Sequence, residues 1–146
     1  MRVQAVKEYL EVLGLAINHH PKSVIARQSA PLGDLLLRLF DLRRMQSSPT
    51  KGDSYSAGEI EEVEDGANEV AIAMIYKLND ATFRPMFSRM LEWTSLVGSN
   101  QDKETDMKAF LQRQTTWYRF LLKFFDTLKV YLQCRLYSRI KLIPRL

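Results

Sequence analysis

The side chains best suited to chemistry in this 146-residue chain are the adjacent pair His19 and His20, the acidic run Glu59, Glu61, Glu62, Glu64 and Asp65, and one thiol, Cys134. Two histidines could hold zinc or move a proton. On a helix, however, adjacent residues point in different directions, and a zinc site needs three or four ligands that a single cysteine does not complete. The pair is expected at a helix C-terminus, where a cationic imidazole meets the negative end of the dipole. The acidic run could bind a cation or imitate a nucleic acid. It lacks the spaced loop ligands and glycine of a calcium site, so a solvated helix face is expected instead. No glycine-rich phosphate loop, nucleophile elbow or zinc-ligand spacing occurs in the sequence. The expectation is a non-enzyme with no catalytic residues, no metal and no cofactor.

The elements that would carry these residues read as helices. With 46% hydrophobic and 26% charged residues, and only 6 Gly and 5 Pro, the chain has globular composition and few of the punctuators that an all-β fold needs. Val6, Leu10, Leu13 and Ile17 recur at helical spacing, and Pro21 closes that stripe. Val24, Ile25, Leu32, Leu35, Leu36, Leu39 and Phe40 form the next, with Pro31 inside it. Proline there predicts a kink near Ala30 or two short helices. Residues 45–57 are polar, with Pro49 and Gly52, and read as a flexible linker between N-terminal helices over 1–44 and a second helical region over 58–129.

In that second region Ile60, Val63, Ala67, Val70, Met74 and Leu78 keep a spacing of three or four through the six acidic residues of 59–69. Acidic side chains early in a helix suit its positive end. Asn79 and Asp80 break this helix. Asp80 or Thr82 is expected to cap the next one, whose first turn would tolerate Pro85. Phe83, Phe87, Met90, Leu91 and Val97 form its stripe. Residues 98–106 read as another polar connection, and a last helix starts near Met107 with Phe110, Trp117, Leu121, Phe124 and Leu128 facing inward. Aromatic residues at this spacing, Phe83, Phe87, Trp93, Trp117, Phe120 and Phe124, are expected to be core in preference to a binding surface. Pairs of amphipathic helices fit a HEAT-like solenoid of about three units, and equally a compact bundle, because both bury the same stripes.

A net charge of +4 and a sequence pI near 9.3 favour acidic partners, nucleic acid among them. Between Lys108 and Leu146 nine basic residues face only Asp126. Arg119, Lys123 and Lys129 are therefore the expected contacts for RNA or another acidic partner, through a salt-sensitive strip opposite Trp117. A solvated face, or a basic helix lying on an acidic protein or lipid surface, fits the same pattern. One cysteine excludes an internal disulfide and fits a reducing compartment. The N-terminal apolar stretch is interrupted by Lys7, Glu8 and Glu11, so neither a signal peptide nor a membrane role is expected.

Tyr76 to Trp93, YKLNDATFRPMFSRMLEW, adds a more specific signal. Lys77, Leu78, Asn79, Asp80, Thr82, Phe83, Arg84, Pro85, Met86, Phe87, Glu92 and Trp93 fill the pattern Lys-Leu-(Asn or Ser)-acid, then Thr-Phe-(Lys or Arg)-Pro, an apolar residue and Phe, and a closing acid-Trp. This stretch resembles the C-terminal domain of the giant HEAT-repeat components of the small-subunit processome, the family of U-three small-nucleolar-RNA-associated component ten. RQTTWYRFLLKFFDTLK at Arg113 to Lys129 is similar to the family's following helix, and FDLRR at Phe40 to Arg44 is a weaker third point. Together the likeness covers about residues 1 to 129.

The resemblance implies a nucleolar scaffold of stacked helices in ribosome biogenesis. Its role would be in precursor ribosomal RNA processing and ribosomal DNA transcription, and its partners processome proteins, with precursor ribosomal RNA or small nucleolar RNA as a further contact. Phe83, Pro85, Phe87, Trp93 and Trp117 would be its structural signature. A helical-repeat adaptor outside ribosome assembly is the alternative.

After Lys129 the likeness fades. At 100° per residue from Trp117, Arg135 falls within the buried stripe and Arg139 beside it, so a divergent basic tail over 130–146 is expected not to pack as the helix before it does. A segment of a helical array exposes the stripe that a neighbour would cover, so self-association is expected as well.

Overall fold

The computed structural model describes residues 3–46, 55–95 and 103–140, and the side chains of the last helix from 106 to 134. Every described element is helical: α1 (Val3–His19), α2 (Lys22–Arg27), α3 (Ser29–Phe40), α4 (Leu42–Gln46), α5 (Ala57–Ile75), α6 (Asp80–Ser95) and α7 (Lys103–Ile140). The chain is an all-α, HEAT-like segment of helices packed on one another. None of the described helices is long and apolar enough to cross a membrane.

The ends of these helices follow from local chemistry. Pro21 caps α2 without a side-chain hydrogen bond, its carbonyl accepting from Val24 at 3.0 Å. The expected proline effect appears as two helices, with the break at Gln28. The Pro31 ring crowds the carbonyl four residues back, that of Arg27, and the chain turns one residue after it. Ser56 and Glu59 form a capping box at the start of α5, the Glu59 N–H donating to Ser56 Oγ and the Ser56 N–H donating to Glu59 Oε2. The Ser56 backbone N–H, followed by its hydroxyl, holds the Glu59 carboxyl below its usual pKa.

The cap of α6 is Asn79, where Asp80 or Thr82 was expected. Asn79 Oδ1 accepts from the Thr82 N–H at 3.0 Å, and the Asn79 N–H donates to Thr82 Oγ1 at 3.2 Å. Asp80 instead holds Arg84 one turn on. With α6 starting at Asp80, Pro85 lies in its second turn. Helix α7 begins at Lys103, four residues before Met107, so 103–106 are helical. Helical structure also enters 45–57 from both sides, through Gln46 and from Ala57, while 47–54 lie outside the described residues.

At the centre is α5, which packs against α1, α3 and α7, while α6 joins α3 to α7 and α4 meets α7. Burial of the apolar stripes drives this arrangement. Val6, Leu10 and Ile17 of α1 and Ile60, Val63, Ala67, Val70 and Met74 of α5 are buried, as are Ile25, Leu36 and Phe40. Gly14 and Gly66 lie where α1 and α5 come close: a Cβ on Gly66 would stand 3.1 Å from the Leu10 side chain. On α6 the inward residues are Met86, Met90 and Trp93. Leu91, expected in the stripe, is exposed. Val97 lies outside the described residues.

Candidate functional site

Among the described residues, ion pairs gather along a seam where α4 and α7 meet α5, and it begins at FDLRR. Phe40 ends α3 with its side chain fully buried, its ring 6.2 Å from Trp93 and 5.7 Å from Phe120. That anchor holds Asp41, Arg43 and Arg44 at the rim of the core. The Asp41 carboxylate accepts from Arg44 and, at 2.8 Å, from Arg113 Nε of α7. Burial pushes the Asp41 carboxyl upward, but the hydrogen bonds and charges of Arg44 and Arg113 outweigh it and hold the pKa below the usual carboxylate value. Arg113 also donates to the Trp93 carbonyl at 3.2 Å, with its guanidinium 5.4 Å from the centre of the Trp93 ring.

Arg43 reaches Glu64 of α5 with two parallel bonds, 2.8 Å from Nε and 2.7 Å from Nη2. Glu64 is fully buried. Thr116 of α7 donates to Glu64 Oε1 at 2.7 Å, and Arg119 Nε approaches Oε2 at 3.2 Å without hydrogen-bond alignment. Bonding to Glu64 raises the pKa of Arg43. A buried carboxylate stripped of its partners would cost several kcal/mol, so the seam penalises other registers of α4 and α7 on α5.

The acidic run is thus only in part the solvated face that was expected. Glu59, Glu61, Glu62 and Asp65 are exposed, whereas Glu64 and Asn68 are buried. Ile60, Glu64 and Asn68 follow one another at intervals of four, which puts both polar residues on the apolar face. That spacing was the available signal.

Arg119 and Lys123, expected on a basic strip, lie instead along this acidic helix. Arg119 is 3.2 Å from Asp65 and 3.6 Å from Glu61, and Lys123 is 3.3 Å from Glu69. Lys129 is exposed. The side chains of Arg135 and Arg139 lie outside the described residues, while α7 itself runs on to Ile140 with exposed side chains from Lys129 to Cys134. His19 ends α1 and His20 follows it, both exposed. Among the described residues no three His, Cys, Asp or Glu side chains are grouped to hold a metal ion.

The Tyr76–Trp93 stretch ties helices together. Lys77 donates to the carbonyls of Asn18 and His20, at 2.9 and 3.0 Å, closing the end of α1. Rings then run from Phe83 to Phe87 (5.3 Å), Phe87 to Trp117 (5.7 Å), Trp117 to Phe120 (5.4 Å) and Phe120 to Phe124 (5.9 Å). Trp93, Trp117 and Phe120 are buried, and Phe83, Phe87 and Phe124 half-buried. Pro85 is exposed and lines an apolar groove of about 190 Å³ between α3 and α6, with Gly33, Leu36, Met86 and Met90. Such a surface can bind helices or apolar side chains.

The family model described as the BP28CT (NUC211) domain matches residues 24–134. Among curated proteins, the chain is 43% identical over 126 residues to "U3 small nucleolar RNA-associated protein 10" of Aspergillus oryzae. It is 45% identical over 125 residues to the protein of that name from Aspergillus niger, and 44% over 126 to that from Coccidioides immitis. Each match covers 86% of this chain and 7% of the relative, so the chain spans a small part of the length of these proteins. No solved structure matches. The matched region takes in the FDLRR anchor, Lys77 and the aromatic ladder of α6 and α7 together, and the chain belongs to the BP28CT (NUC211) domain family.

Proposed function

We propose that this chain is a non-enzymatic scaffold segment of the small-subunit processome in the nucleolus, serving ribosome biogenesis through protein contacts. The observation that carries this is the identity of 43–45%, across 86% of the chain, to proteins named for their association with U3 small nucleolar RNA. Precursor ribosomal RNA processing and ribosomal DNA transcription are the processes such a scaffold serves. The interior supports contact over chemistry: Arg43, Arg113 and Arg119 are occupied with Glu64, Asp41 and Asp65. Of the three cations assigned to RNA, Lys129 is exposed and meets phosphate without giving up an ion pair to any of the described residues. Arg119 and Lys123 contact RNA only by exchanging Asp65 and Glu69 for phosphate.

The test is to express the tagged chain in cells of its source and probe the purified material for U3 small nucleolar RNA and processome proteins. Recovery well above a charge-matched helical control is expected. A stably expressed chain that recovers neither overturns the reading.

A further inference from the structure

The face of α7 turned away from the core carries a second apolar stripe. Leu111, Tyr118, Leu122, Phe125 and Leu132 are 49% to 69% exposed. With Thr115 and Lys129, also exposed, they fall at alternating steps of four and three along the helix. A step of 3.5 residues over three heptads is the seam of a coiled coil, distinct from the Trp117–Phe120–Phe124 stripe that faces inward. Roughly 600 Å² of contiguous apolar surface is exposed on it, the upper end for a monomer.

We propose that a second copy of this chain covers the seam, the two α7 helices running antiparallel. Two such faces bury roughly 1,200 Å², the lower edge of stable protein interfaces. Orientation follows from charge. A parallel pair sets Lys129 against Lys129 within the apolar seam. An antiparallel pair with Leu122 opposite Phe125 of the second copy sets Lys129 over the ring of its Tyr118, a favourable cation–aromatic contact. In that register Thr115 lies opposite Leu132, and Lys129 meets phosphate only in the unpaired chain. The pairing needs no processome component, so its failure leaves the scaffold reading standing.

The experiment is sedimentation of the purified chain across micromolar concentrations, with circular dichroism as the check on folding. A reversible dimer is expected, and L122E with F125E should be monomeric at unchanged helicity. V12E with L15E, on the exposed face of α1, should still pair. Orientation is read in a Cys134→Ser background. L111C should not cross-link to itself under mild oxidation, whereas T115C mixed with L132C should cross-link. A monomer at the highest concentration overturns the proposal, as does a dimer that L122E/F125E leaves intact, or self-cross-linking of L111C.

Discussion

Arg43 and Glu64, 21 residues apart in sequence, meet as a two-pronged ion pair at 2.8 and 2.7 Å, with no part of Glu64 reaching solvent. The pair binds the five-residue α4 to the central helix α5, and Thr116 extends the link to α7. A helix as short as α4 has little stability of its own, so its position depends on such contacts. The same carboxylate therefore fixes two neighbours of α5.

Glu64→Ala should lower stability by about 3 kcal/mol, since it removes the fully buried carboxylate that the part-buried guanidinium of Arg43 grips with two bonds. Glu64→Leu combined with Arg43→Met should cost much less, because both charges leave the interior together. Urea denaturation followed by circular dichroism measures both. A double variant as unstable as Glu64→Ala would mean that packing, not charge, holds α4 in place.

The depressed pKa of Asp41 links the fold to acid. A carboxyl with a folded pKa below its unfolded value contributes stability above the unfolded pKa, about 3.9, and loses it as pH falls through the folded value. Thermal midpoints should therefore be insensitive to this group between about pH 5 and 7 and fall below about pH 4. Asp41→Asn should flatten the acid limb. An unchanged limb would show that Arg44 and Arg113 do not depend on the Asp41 charge.

Gly14 lies inside α1, where glycine costs up to about 1 kcal/mol relative to alanine. A Cβ there meets only a Val70 methyl at 3.8 Å, an ordinary contact. Gly14→Ala should therefore raise stability by about 0.5 to 1 kcal/mol. Gly66→Ala should gain less, because Leu10 must shift to admit the methyl group. Equal gains in thermal unfolding would show that Leu10 yields freely.

The sequence alone determined the helices and most of their inward faces. Val6, Leu10 and Ile17, and Ile60, Val63, Ala67, Val70 and Met74, are buried where their spacing put them, because a 3.6-residue period leaves one face for water and one for the core. The residues of Tyr76 to Trp93, with Arg113 to Lys129 and more weakly Phe40 to Arg44, carried the family likeness. Which helix meets which, and where the charges end up, only the tertiary structure decided. Arg119 was read as facing solvent because its direction on α7 was known and the position of α5 was not. Glu61, Glu64 and Asp65 lie more than 50 residues before it, and only packing brings them within 4 Å. Glu64 looked like one carboxylate among several. Its burial is tolerated because Arg43 of α4 and Thr116 and Arg119 of α7 converge on it, and side-chain periodicity along one helix carries no information about partners supplied by two others.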